Sequence, residues 1–392
     1  MKKEKWILAV IFCMLCLCHS KTVFAYQEDI PGLYKETGEE HNVLEDIMEK
    51  LDFSGLDKLL KEENTGLEEH SFSNLVGQMV EEGIESFDYR RIIEWIKEAL
   101  FLEIETSRKL LVEVVLLAVV FSILKNFAGG FSSSYVSDLC FLLVYCVLAV
   151  MLLQSFMSFR EIAAKALTDS IEFMKALIPT FCITMVFSAG SSSAAGFYQI
   201  AFLVIYLIEW MFLNLLIPMI HIYVLLELFN HFFEDEKFDN LTELLKGAVC
   251  WGMKAASVVV FGLNVVQGLL GPAKDHLLNG TVGKAASMIP GVGNAINGVT
   301  ELLLASGIMI KNCVGIGALM ILVVIAIIPM LKIGCMALFY KIAAAITEPV
   351  TDKRIAGCLK GMAEGGILYL KLMGYGVALF FLTIALTTAF VS

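Results

Sequence analysis

The sequence lacks the short signatures that carry most enzyme chemistry. It has no HExxH zinc motif, no GxSxG elbow, no P-loop and no Rossmann glycine fingerprint. Its six histidines are scattered, and only His221 and His231 share an apolar run, where His221 reads as a packing residue rather than a catalyst. We therefore expect no catalytic, cofactor-binding or metal-ligating set, so any ATP hydrolysis must come from another protein. Charge is also sparse, at 18% of residues against about 25% in soluble domains. Cysteine is missing from residues 26–107. Cys13, Cys16 and Cys18 lie near the N-terminus, and the other seven of the ten lie in or beside apolar segments. That distribution excludes a disulfide framework and a structural zinc site. A basic patch is missing too. Residues 26–107 hold 22 acidic against 7 basic side chains, which excludes nucleic acid as a partner, because its binding rests on Lys and Arg neutralising phosphate.

What is present is apolar sequence, 58% of the chain, gathered into long runs. The first 25 residues have the form of an export signal. Lys2, Lys3 and Lys5 are followed by the apolar stretch Trp6–Cys18 and by Val23-Phe24-Ala25 at the expected cleavage position. The alternative is an uncleaved first transmembrane helix. Cleavage would leave residues 26–107 as an acidic exported segment with a net charge of −15, ahead of a membrane region, 108–392, whose net charge is +1.

Within the exported segment, apolar residues recur at helical spacing: Leu44, Ile47, Met48 and Leu51; Leu56, Leu59 and Leu60; Phe72, Leu75, Val76 and Met79. Such short amphipathic helices need a surface to cover, whether one another, the bilayer or a partner protein. The membrane region predicts an all-α, polytopic fold with about seven spans. These are Lys109–Phe127, Leu139–Phe159, Ala176–Gly190, Phe197–Phe233 (interrupted at Pro218), Lys254–Leu270, Cys313–Leu331 and Leu372–Val391. Amphipathic segments at Arg160–Lys175, Ala273–Met288 and Lys341–Gly361 suit the membrane interface. Seven spans and an exported N-terminus put the 332–371 connection outside. Its six Lys and Arg residues favour the cytoplasmic side, and a turn at Pro218 would flip the parity and remove that conflict.

Six polar residues sit in or near these apolar spans: Glu113, Glu209, Asn214, Lys254, Asn264 and Gln267. A charge at membrane depth costs about 2.5–3.5 kcal/mol on insertion scales, so these side chains are expected to face the bundle, a watery cavity or each other. They form either a polar lining or an assembly interface, or they simply hydrogen-bond between helices. Gly262–Gly298 adds eight glycines and two prolines in 37 residues. Gly271, Pro272, Asp275, Pro290, Gly291 and Gly293, together with Pro349 and Asp352 of a second Pro-x-x-Asp, are candidate hinge or re-entrant positions.

Along this tract the chain resembles the stage III sporulation protein AE family of endospore-forming bacteria. The resemblance is carried by Asn264-Val265-Val266-Gln267-Gly268-Leu269-Leu270-Gly271-Pro272 and Ile289-Pro290-Gly291-Val292-Gly293-Asn294. It continues through Gly307–Gly315 and Thr347-Glu348-Pro349-Val350-Thr351-Asp352-Lys353-Arg354. It covers nearly the whole chain and brings no catalytic residues or cofactor. It implies a permease-like subunit of a secretion or feeding complex in the mother-cell membrane surrounding the forespore. Its implied partners are other stage III sporulation membrane proteins, a cytoplasmic ATPase acting in trans, ring-forming proteins of the intermembrane space, and membrane lipid. An autonomous secondary transporter and a scaffold that recruits sporulation partners are the alternatives.

Overall fold

In the computed structural model, the described residues are 51–62, 71–81, 134–189, 192–232, 238–286, 293–349, 351 and 353–390, with parts of 96–123. Among them the chain is helical and forms no strand. Two short helices, α1 (Ser54–Glu62) and α2 (Phe72–Glu81), precede the bundle. The bundle consists of α3 (Ser134–Ala189), α4 (Ser192–Met211), α5 (Ile217–Phe232), α6 (Asp239–Ala286), α7 (Gly293–Thr347) and α8 (Lys353–Phe390). A five-residue π segment, Phe212–Leu216, joins α4 to α5 without a break.

Among the described residues, five helices are long and apolar enough to cross a membrane: Tyr145–Ser188, Gln199–His231, Asp239–Val266, Ala305–Thr347 and Lys353–Thr388. The expected count of about seven is not reproduced among the described residues, for two reasons. Leu139–Phe159, Arg160–Lys175 and Ala176–Gly190 are one continuous helix, α3, with Pro179 inside it. Lys109–Phe127 is described only in part. An internal proline removes one backbone bond and can kink a long helix without ending it. The same holds for Pro329 in α7 and for Gly271-Pro272, which lie inside the uninterrupted α6. The anticipated break and separate interfacial helix at Ala273–Met288 are therefore absent as far as Ala286. Lys341–Gly361 is not one amphipathic segment either, since it holds the end of α7, the turn at Glu348 and Pro349, and the start of α8. At about 1.5 Å per residue, α3 is about 84 Å long, well beyond a hydrocarbon core of about 30 Å.

The helices alternate in direction. Gly307 of α7 meets the backbone of Phe187 and Ser188 at the end of α3, and Gly315 meets Thr388 near the end of α8. Lys311, fully buried, donates to the Thr388 carbonyl at 3.0 Å, satisfying an orphan acceptor in the last turn of α8. At the opposite end, the Tyr145 hydroxyl donates to the Leu228 carbonyl at 2.5 Å and lies 3.2 Å from Cys358 Sγ. There too, Asn230 bonds Asp239 and accepts from the Phe238 amide, closing the α5–α6 turn.

Helices α1 and α2 cover each other through Phe53 and Phe72, whose ring centroids are 5.5 Å apart, and they cover the bundle as well. Gly55 lies against Ala176, Thr180 donates to the Asp52 carbonyl at 2.8 Å, and Phe72 and Val76 pack on Gly317. Of the three surfaces expected for these helices they use one another, and they also use one that was not expected, the long apolar helices of their own chain. They dock toward the end that holds the α3–α4 turn and the end of α8. The Lys and Arg residues of 332–371 lie toward the other end, because α7 and α8 run antiparallel and turn there. The docked helices and the basic α7–α8 connection therefore lie toward opposite ends of the bundle, with no turn at Pro218.

Candidate functional site

The site is built where α3, α4 and α8 meet. Ile205, Ile208 and Phe212 form the buried stripe of α4, and Glu209 follows in the same inward arc. Gly376 of α8 makes the room. A Cβ there would lie 2.5 Å from Oε1 and 3.1 Å from Oε2 of Glu209, and 3.1 Å from a Leu167 methyl of α3. Glu209 is 0% exposed, and neither carboxyl oxygen has a hydrogen-bond partner. A buried polar group normally finds one, because an unmade hydrogen bond costs about 1–3 kcal/mol.

Just past Glu209 the helix changes register. The Ile217 amide donates to the Phe212 carbonyl, an i→i−5 bond, one residue before Pro218, which has no amide hydrogen to give. The Asn214 side chain donates to the Trp210 carbonyl at 2.8 Å. The proline thus sits beside an inserted residue rather than at the turn expected for Phe197–Phe233.

A second polar cluster lies between α5, α6 and α8. Lys246 pairs with Glu364, and the Tyr223 hydroxyl donates to the same carboxylate at 3.3 Å. The Lys246 ammonium also lies 6.0 Å from the centre of the Tyr223 ring. Gly357, Gly361 and Gly365 recur every fourth residue on α8 and receive His231, Glu227 and Val224 of α5. Small residues at that spacing let helices approach closely.

The structure sorts the sequence candidates. Glu209 and Asn264 are buried, and Asn264 donates to the Val260 carbonyl at 2.9 Å and to Thr383 Oγ1 at 3.0 Å, which ties α6 to α8. Glu113, Asn214 and Lys254 are exposed on the single chain and so do not face its bundle interior. A hydropathy window fixes that a residue lies in a span but not which way the helix is turned. Among the five whose side chains are described no common polar path is formed; Gln267 lies outside the described side chains. Of the hinge candidates, Gly271, Pro272 and Asp275 are helical in α6, Gly293 opens α7, and Pro349 is exposed in the α7–α8 turn. Pro290, Gly291 and Asp352 lie outside the described residues. His221 stacks on Phe156 at 5.4 Å, and its Nδ1 makes no hydrogen bond, so it packs without the bond such a residue usually makes.

Lys311 and the Lys246–Glu364 pair escaped the sequence reading. The partners of the pair are 118 residues apart, and no local pattern joins them. The one available signal was a lone charge inside the glycine-rich run Gly361–Gly366.

The chain is 28% identical over 295 residues to the stage III sporulation protein AE of Bacillus subtilis (strain 168), covering 74% of each chain. No solved structure matches it. The family model for stage III sporulation protein AE matches residues 70–390, from α2 to the last residue of α8, and the chain belongs to that family.

Proposed function

We propose that this protein is the non-enzymatic, permease-like membrane subunit of a secretion or feeding complex between mother cell and forespore, required for endospore formation. The observation that supports it best is the family match over residues 70–390, a stretch that includes five apolar helices of membrane-crossing length, three of which enclose a carboxyl group that has no partner. Polar groups kept at membrane depth are costly and mark functional sites by default. In this reading residues 1–25 are removed, 26–107 are extracytoplasmic, and 108–392 lie in the mother-cell membrane around the forespore. Energy is supplied in trans by a cytoplasmic ATPase, and ring-forming proteins complete the path.

Two assays test it. Sporulating cells without the protein should complete engulfment yet fail to express a late forespore reporter, and the wild-type chain should restore it. Purified protein in liposomes should move no solute alone. Solute movement by the chain alone would favour an autonomous secondary transporter, and normal late expression without the protein would remove the proposal.

A further inference from the structure

The Glu209 niche has a neighbour. A cavity of about 250 Å³ lies between the same three helices, lined by Ile171 and Lys175 of α3, Phe202 and Tyr206 of α4, and Phe380 of α8. Leu167 and Gly376 touch or face Glu209, and Ile171 and Phe380 line the cavity, each four residues further along its helix. Tyr206 precedes Glu209 by three. The cavity is therefore stacked about one helical turn, roughly 5.4 Å, from the carboxyl. Its wall is apolar except for Gln199, Lys175 and the Tyr206 hydroxyl, and the Lys175 ammonium sits 5.0 Å over the Tyr206 ring.

The charged and titratable groups within about two turns of the niche are Arg160, Glu161, Lys165, Asp169, Glu172 and Lys175 of α3, Tyr206 of α4, and Tyr369, Lys371 and Tyr375 of α8, with His221 further along α5. None bonds to Glu209. A metal cation needs several ligands, and no group of three or more His, Cys, Asp or Glu that could hold one exists among the described residues. The smallest cation is the one that a solitary carboxyl can hold, as its own O–H.

The π segment supplies a way to release it. One inserted residue at Phe212–Leu216 means that a return to α geometry turns the preceding helix by about 100° relative to α5. We propose that Glu209 is a proton-exchange site. It holds a proton while the α3–α4–α8 junction is closed and gives it to water when the π segment relaxes and turns the side chain out of the Gly376 niche. On release the carboxyl O–H bond breaks and its proton forms hydronium with an entering water. On closure the carboxylate takes a proton back and the O–H bond re-forms. This deepens the permease-like reading and rests on it for the cellular readout only.

The test has two arms. Purified full-length protein is treated with dicyclohexylcarbodiimide, which reacts with protonated carboxyls, and the adduct is located by mass spectrometry. An adduct on Glu209 that forms faster in acidic than in alkaline buffer, and is absent from Glu209→Gln, is expected. No adduct at Glu209 in acidic buffer, or an equal rate in both buffers, overturns the proton site. In cells, Glu209→Gln, which keeps shape and neutrality but cannot cycle, should reach wild-type levels in the membrane and lower the yield of heat-resistant spores about tenfold or more, within the usual span of coupling effects. Wild-type yield overturns the coupling. The labelling arm needs no partner, so its failure leaves the permease-like reading standing, while failure of the liposome and reporter assays with labelling intact removes only that reading.

Discussion

Helices α8 and α6 are both apolar enough to cross a membrane, yet they have opposite surroundings. In α8, 56% of the membrane-length window is buried inside the protein, against 28% in α6. Glycines of α7 and α8 admit a neighbour's backbone or side chain: Gly307 of α7 against Phe187 and Ser188 of α3, Gly315 of α7 against Thr388 of α8, and Gly366 of α8 against Ala337 of α7 and Phe159 of α3. On α6, by contrast, Trp251 and Val258 are each 72% exposed, and Lys254, Phe261 and Val265 continue that outward face. Hydropathy alone cannot separate these helices. Small residues at close approaches make α8 the central staple, and large side chains leave one face of α6 to lipid or another protein.

Substitutions at these close approaches and on α6 should therefore differ in size. The largest effect is expected at Gly307→Ala, where the new Cβ would lie 2.7 Å from the Phe187 carbonyl carbon and oxygen, which cannot swing aside. Forced separation of α3 and α7 should cost about 2 kcal/mol, read as a lower unfolding midpoint in detergent. Next is Gly376→Ala. It confronts the end of a flexible side chain, so a loss of about 1 kcal/mol is expected, and adding Glu209→Ala should recover most of it. A double mutant no more stable than the single one would show that the niche is not shaped around Glu209. Asn264→Leu removes the bond to Thr383 and should cost about 0.6 kcal/mol, the average for interhelical bonds in membranes. Trp251→Ala on the outward face of α6 should stay within about 0.5 kcal/mol of wild type. A loss as large as that of Gly307→Ala would break the comparison.

Much of this was legible in the sequence. The helical membrane class, the amphipathic pieces at 51–81, and two of the buried polar residues, Glu209 and Asn264, followed from apolar runs and the cost of polarity inside them. The continuity of α3 did not, because Arg160–Lys175 loses its apolar character on one face while staying helical on all of them. The π segment has no sequence mark except the proline that follows it. The outward turn of Glu113, Asn214 and Lys254 depends on the phase of each helix against its neighbours, which no local window contains.

The smallest effect belongs to the docked N-terminal helices. The Ser54 hydroxyl and amide donate to Asp52 Oδ1 and hold its carboxyl below the ordinary value of 3.8. A lowered value in the folded state means that this support is present above the ordinary value and fades as pH falls through the lower one. Hydrogen-exchange protection of α1, corrected for intrinsic rates, should be weaker in Asp52→Asn than in wild type at neutral pH. The two should converge in acid.

The central claim is that α1 and α2 dock at one end of the bundle while the basic α7–α8 connection turns at the other. Single cysteines at Lys58 and Glu348, introduced into a chain freed of its native cysteines, test it most directly. Each is probed with a membrane-impermeant maleimide in right-side-out and in inverted membrane vesicles. The account predicts labelling of Lys58→Cys only in right-side-out vesicles and of Glu348→Cys only in inverted ones. Labelling of both in the same vesicles would contradict it.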